Sequence, residues 1–186
     1  MSKRITFQFE DDLDYQMQAI HSTVELFRGL SRHVDGIYRP NRIRKVGEGD
    51  PVRNNDIVVG SRLLENLRKV QLSNDLFADN VLAEGNNFTI EMETGTGKTY
   101  VYLRTILELY QEYGFRKFMI VVPSIAIRKG VEKSMEQLTD HFKRLYNIDI
   151  GKHSFIYDSN NPKQISSKLV AVSYTHLRAH ETGRNL

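Results

Sequence analysis

The chain has 186 residues, 40% of them hydrophobic and 26% charged, a balance that suits a folded domain and excludes a disordered or collagen-like chain. There is no cysteine, which removes a disulfide scaffold, a cysteine-ligated zinc site and a cysteine nucleophile. The 26 Lys and Arg against 23 Asp and Glu give a net charge of +3, too mild to name a nucleic-acid partner by itself.

The longest wholly apolar run is Phe118–Val122, against the roughly 20 residues a membrane span requires, so no transmembrane helix is expected. The start, MSKRITFQFEDD, is basic but has no apolar segment behind it, so no secretory signal is read and a cytoplasmic protein is expected.

In chain order, Ile5, Phe7 and Phe9 alternate with polar residues, the period of a short strand. Asp11 and Asp12 offer N-cap oxygens to a helix whose apolar face is Leu13, Met17, Ile20, Val24 and Phe27, fading near Gly29. Residues 31–55 carry scattered Gly and Pro among charges and read as a long loop or a poorly ordered insertion. Within them lies a basic stretch, Arg39–Pro–Asn–Arg–Ile–Arg–Lys45, which suits either a phosphate contact or a solvated face. Residues 56–71 read as a helix with Val58 or Val59, Leu63 or Leu64, Leu67 and Val70 on its apolar side.

Residues 86–92, NNFTIEM, read as a strand with Phe88, Ile90 and Met92 on one face. A Thr/Gly loop follows, then a helix over Thr99–Tyr113 ended by Gly114. Lys117–Val122 reads as a continuous apolar strand of the kind buried in a parallel sheet. Ser124 caps a helix from Ile125 to about Tyr146, and His153–Tyr157 offers a further strand. Strands alternating with helices predict an α/β fold with a parallel sheet flanked by helices.

The chemistry concentrates in Thr94–Gly95–Thr96–Gly97–Lys98–Thr99, between an expected strand and an expected helix. Gly95 and Gly97 let the backbone curl without a Cβ in the way. Successive N–H groups then face one concavity at a helix N-terminus, a cradle for phosphate oxygens. Lys98 can extend to the β- and γ-phosphates of ATP, and the Thr99 hydroxyl can ligate Mg²⁺. The pattern G-x-x-x-x-G-K-[ST] would put glycine at position 92, where this chain has Met92. The alternative is a Gly/Thr-rich turn followed by an incidental lysine.

Glu91–Met92–Glu93–Thr94–Gly95–Thr96–Gly97–Lys98–Thr99 closely resembles motif I of superfamily-two helicases and translocases, a group in which the first glycine is often replaced. Tyr15–Gln16 resembles their upstream Y-Q element, and the segment from Val121 to Val131, VVPSIAIRKGV, resembles motif Ia. With FQFEDDLDYQMQAI at the start, the combination is most similar to the Res subunits of type III restriction enzymes, over roughly residues 5–170.

The resemblance implies a P-loop NTPase with a partial RecA-like domain, ATP and Mg²⁺ as cofactors, double-stranded DNA as substrate and a modification (methyltransferase) subunit as partner. It implies that Gln16 bonds the adenine edge, that Thr94, Gly95, Thr96, Gly97, Lys98 and Thr99 hold the phosphates, and that Pro123 and Ser124 lie on the DNA backbone. Residue by residue, Gln16 is also open to reading as an exposed helix residue, Ser124 as a helix cap alone, and Arg128 and Lys129 as a solvated face. Another superfamily-two DNA or RNA helicase, a P-loop phosphotransferase and a truncated, non-functional reading frame are the alternatives. The Y-Q element, motif Ia and the absence of an arginine-rich lid weigh against the phosphotransferase.

No Asp-Glu pair follows residue 123, so the acidic motif II that the resemblance requires is not in this sequence, nor are a second lobe and a nuclease domain. An N-terminal fragment without appreciable turnover is expected. Val172–Ser–Tyr–Thr–His–Leu–Arg–Ala–His–Glu–Thr182 reads as the translation of a transposon-end sequencing adapter. That reading outweighs the metal site suggested by His176 and His180, four apart with Glu181 adjacent. The expected layout is 1–85, an N-terminal region with the Y-Q element and the basic loop; 86–171, the incomplete ATP-binding domain; and 172–186, a non-native tail.

Overall fold

A computed structural model describes residues 10, 12–34, 37–40, 61–82, 86–115, 117–157 and 176–179, with backbone alone for 31–34, 37–40 and 176–179. The chain divides into two compact units, Asp14–Arg116 and Lys117–Leu186 together with Met1–Leu13. The strand expected over residues 5–9 lies outside the described residues, as do residues 41–60 with most of the basic stretch.

In the first unit, helix α1 spans Asp14–Glu25, with an acidic residue in its first turn where the helix dipole favours one. Ile20 and Val24 are buried along it at the expected spacing, and Gln16, one turn earlier, is buried with them. Past its end Gly29 turns the chain at φ 68°.

The loop expected from residue 31 is in part a hairpin. Strands β1, Ser31–Val34, and β2, Ile37–Pro40, pair antiparallel with Val34 opposite Ile37. Asp35–Gly36 between them is a two-residue hairpin signal flanked by β-formers, outweighed in the sequence by the Gly, Pro and charge further on.

Helix α2, Ser61–Ser73, buries Leu63 against Leu26 and Leu30, and Phe27, Leu67, Val70, Leu82 and Phe88 pack around those three. Asn66, also buried, donates its Nδ2 to the carbonyls of Leu26 at 3.0 Å and Arg28 at 2.8 Å. It thereby satisfies main-chain oxygens in the turn that follows α1.

Residues 86–92 are not a strand. Phe88 joins the cluster around Leu63, but Ile90 is 50% exposed, and neither sheet of the described residues includes the segment. An alternating pattern supplies side chains for two faces, yet a strand also needs a neighbour to complete its hydrogen-bond ladder.

Helix α3, Lys98–Tyr113, packs along α1 and buries Val101, Leu103, Leu107 and Leu109. Gly114 ends it as expected, at φ 71° with its N–H donating to the carbonyls of Leu109 and Tyr110. Beyond it Phe115 meets Phe27 edge-on, ring centroids 5.1 Å apart.

In the second unit, β3 is Met119–Val122, α4 is Ile125–Tyr146, β4 is Phe155–Ile156 and β5 is His176–Ala179. The three strands form a parallel sheet in the order β3-β5-β4, with Met119 and Phe155 both level with His176. Helix α4 has the predicted bounds. Val131, Met135, Leu138, Phe142 and Tyr146 form its buried stripe, and Ser124 and Asn147 cap its ends. The expectation that β3 is buried throughout needs correction: Val122 is buried, but Met119 and Val121 are 60% and 55% exposed. A strand this short alternates its faces, and only the face shared with Val122 is covered. Among the described residues no helix is long and apolar enough to cross a membrane.

Candidate nucleotide site

The turn Thr94–Gly97 leads directly into α3. Gly95 and Gly97 both take left-handed conformations, at φ 85° and 82°, which L side chains adopt only at a cost. The two glycines differ in their surroundings. A Cβ on Gly95 would meet nothing within 4 Å, whereas one on Gly97 would lie 2.6 Å from the side-chain nitrogen of Gln16. Gly95 is therefore required by conformation alone, and Gly97 by conformation and by a close approach.

That approach comes from α1. Gln16 is only 6% exposed, and its Nε2 donates to the carbonyl of Thr96 at 2.9 Å, joining residues 80 positions apart. It is not the exposed helix residue that a local reading permits. A primary amide has two N–H donors and a carbonyl, so the bond to Thr96 leaves donor and acceptor capacity for a further planar partner. Thr96 is held from its other side as well, its Oγ1 donating to the carbonyl of Glu93 at 2.7 Å.

Lys98 is the first residue of α3 and its side chain folds back along the turn, Nζ donating to the carbonyls of Met92 and Glu93. Thr99 follows it in the first turn, half-buried. Gly97 is the N-cap and supplies no side-chain oxygen, and no acidic side chain stands in that turn. The helix therefore presents its leading amides, the positive end of its dipole and one ammonium together. Thr94, Gly95 and Lys98 are exposed. Such an arrangement is chemically able to receive an anionic group, and the two carbonyls that hold Lys98 are what an incoming oxyanion would displace.

The structure thus brings Gln16, Thr94, Gly95, Thr96, Gly97, Lys98 and Thr99 together within one unit. Pro123 and Ser124 belong to the other, where they join β3 to α4. Pro123 is exposed, and the Ser124 hydroxyl accepts from the N–H of Ile127 at 3.3 Å, so the helix-cap role is real. Arg128 and Lys129 share one carboxylate, Glu132, at 3.3 and 3.1 Å.

Sequence reasoning missed the two carbonyls on Lys98 and the carbonyl under Gln16. Main-chain atoms carry no residue signature, so nothing in the sequence marks them.

The family described as "Type III restriction enzyme, res subunit" matches residues 11–185. Among curated proteins, the chain is 28% identical over 165 residues to the type III restriction-modification enzyme EcoPI Res subunit of Escherichia phage P1. That alignment covers 87% of this chain and 16% of the relative. It is 34% identical over 106 residues to the EcoP15I Res subunit of Escherichia coli, 55% of this chain and 11% of that one. It is 47% identical over 62 residues to the StyLTI Res subunit of Salmonella typhimurium, 32% of this chain and 6% of the relative. The chain therefore spans less than a fifth of the length of the relatives it matches. The match implies a P-loop, RecA-like helicase fold, and with a family match over nearly its whole length, this chain belongs to the type III restriction enzyme Res subunit family.

Proposed function

We propose that this chain is the ATP-binding part of an ATP-dependent DNA translocase, the restriction subunit of a type III restriction-modification system. One observation carries the reading: two left-handed glycines bend the chain around Thr96 and deliver Lys98 and the amide end of α3 to the same exposed turn. The residues present fit ATP with Mg²⁺. The turn has no Cβ filling it at Gly95, a cation stands beside it, and a hydroxyl follows in the next helical position.

In this reading the main-chain amides of Thr94 to Thr99 hold phosphate oxygens. Lys98 leaves its two carbonyl partners for the β- and γ-phosphates, and Thr99 ligates the cation. Gln16 bonds the adenine edge while it keeps hold of Thr96, so base recognition and loop shape share one side chain. The bound cation supplies neutralisation of charge on the transferred phosphoryl group. Pro123 and Ser124 lie along the backbone of double-stranded DNA, and a modification methyltransferase subunit reads the sequence. The protein acts in the cytoplasm.

We assign residues 1–85 to a region carrying the Y-Q element and the basic stretch, 86–171 to an incomplete RecA-like ATP-binding domain that contributes β3 and β4, and 172–186, which includes the β5 strand between them, to a non-native tail. Resequencing the DNA that encodes residues 165–186 tests the last assignment.

The decisive experiment is Lys98→Ala in the full-length protein. DNA-stimulated ATP hydrolysis should fall by at least about a hundredfold, because the lysine's charge is matched to the phosphates in the transition state. Hydrolysis at the wild-type rate would overturn the reading.

A further inference from the structure

Tyr102 lies one turn beyond Thr99 on α3. Residues three apart share a helix face, so the phenol and the threonine side chain are neighbours. The Tyr102 hydroxyl is sealed from solvent, and among the described residues it makes no fully formed hydrogen bond. A buried hydroxyl in that condition is costly, and native structures retain one where a partner arrives or a function uses it. Burial raises the Tyr102 phenol above its ordinary pKa, and the one side chain acting against that shift, as a hydrogen-bond donor, is Thr99. No bond between the two hydroxyls meets full hydrogen-bond geometry. Site contacts that are loose in a ligand-free protein often tighten once the ligand is bound.

A hydroxyl that ligates a cation does so through a lone pair, with its hydrogen directed away from the metal. That hydrogen needs an acceptor. On α3 the Tyr102 oxygen offers one, screened from water, on the helix face that Thr99 shares.

We propose that Tyr102 is a positioning residue for the divalent cation: its hydroxyl oxygen accepts the Thr99 hydroxyl hydrogen and so turns the Thr99 lone pairs toward the metal. This rests on the reading of Thr99 as a cation ligand. Tyr102 itself touches neither nucleotide nor metal. No bond is made or broken by it; one hydroxyl torsion is selected.

The test uses the full-length protein, a fluorescent ATP analogue and a Mg²⁺ titration. Tyr102→Phe keeps the ring and removes only the acceptor oxygen. The Mg²⁺ midpoint for nucleotide binding should rise about three- to tenfold, the range expected for loss of one hydrogen bond to a ligating group. Affinity for the analogue in EDTA should stay at the wild-type value and the thermal unfolding midpoint in EDTA should not fall, since the hydroxyl has no full hydrogen bond to lose there; a merely structural role would lower both. In a Thr99→Ala background the same Tyr102→Phe change should produce no further shift, because the effect runs through the threonine.

A Mg²⁺ midpoint within twofold of wild type overturns the proposal, and so does an equal shift in both backgrounds. Failure of the underlying reading looks different: Lys98→Ala would then bind the analogue as wild type does, with or without Mg²⁺.

Discussion

At Gly97 two requirements meet on one residue. Its left-handed backbone disfavours any side chain by about 1–2 kcal/mol. A methyl group there would also press on Gln16 Nε2. Gln16 is long enough to swing aside, but the Thr96 carbonyl then loses its donor, a further cost of about 1 kcal/mol. Gly95 carries the first cost without the second. Gly97→Ala should therefore lower the unfolding free energy by about 2–3 kcal/mol and Gly95→Ala by about 1–2 kcal/mol, read by urea denaturation. Combined with Gln16→Ala, the Gly97→Ala change should cost only about what Gly95→Ala does, since the crowded partner is gone. Strict additivity of the two substitutions would contradict this account.

At the scale of elements, the helices were legible and the strands less so. α4 carries its whole description locally: a serine cap, a stripe of apolar residues at three- and four-residue spacing, basic residues in the last turn and a left-handed Asn147 beyond it. α3 likewise ends where Gly114 says it should. Residues 86–92 have the alternation of a strand and pair with nothing among the described residues, while 31–34 and 37–40 pair across two residues that the loop reading absorbed. Helical hydrogen bonds close within a turn, so periodicity predicts them; strand bonds close on a partner that local sequence does not name.

The α4 cap also separates the observed role of Ser124 from its proposed one. Its oxygen accepts from Ile127, and its own hydrogen remains a donor suited to a backbone phosphate. Ser124→Asp should preserve helix stability, because aspartate is an equally good cap, while its charge repels phosphate. DNA affinity at low salt should then drop several-fold with the unfolding midpoint within about 1 °C of wild type. Unchanged DNA affinity would leave Ser124 a cap and nothing more.

For the whole molecule, a phosphate cradle is not yet a phosphatase. Phosphoryl transfer needs a second acidic contact to the metal, a group to orient water and a cation on the developing charge, all held at once. Met1–Leu186 contains the proposed cradle, and no Asp-Glu pair after Pro123. The 186-residue chain with Mg²⁺ should therefore bind ATP weakly and hydrolyse it at the buffer rate, measured as phosphate release over hours. Turnover above that rate would mean that some other carboxylate of the chain serves as the catalytic one, and would sink this expectation.

What the sequence by itself determined is the two-glycine turn, the helices around it and the family, because glycine placement, capping and apolar spacing are properties of chain neighbours. The tertiary structure alone decided that Gln16 reaches the turn from α1, that Lys98 rests on two carbonyls and that Asn66 holds the turn after α1. Each of these pairs a side chain with a main-chain oxygen, and every residue carries that same oxygen. Only the packing of distant segments selects which one is met.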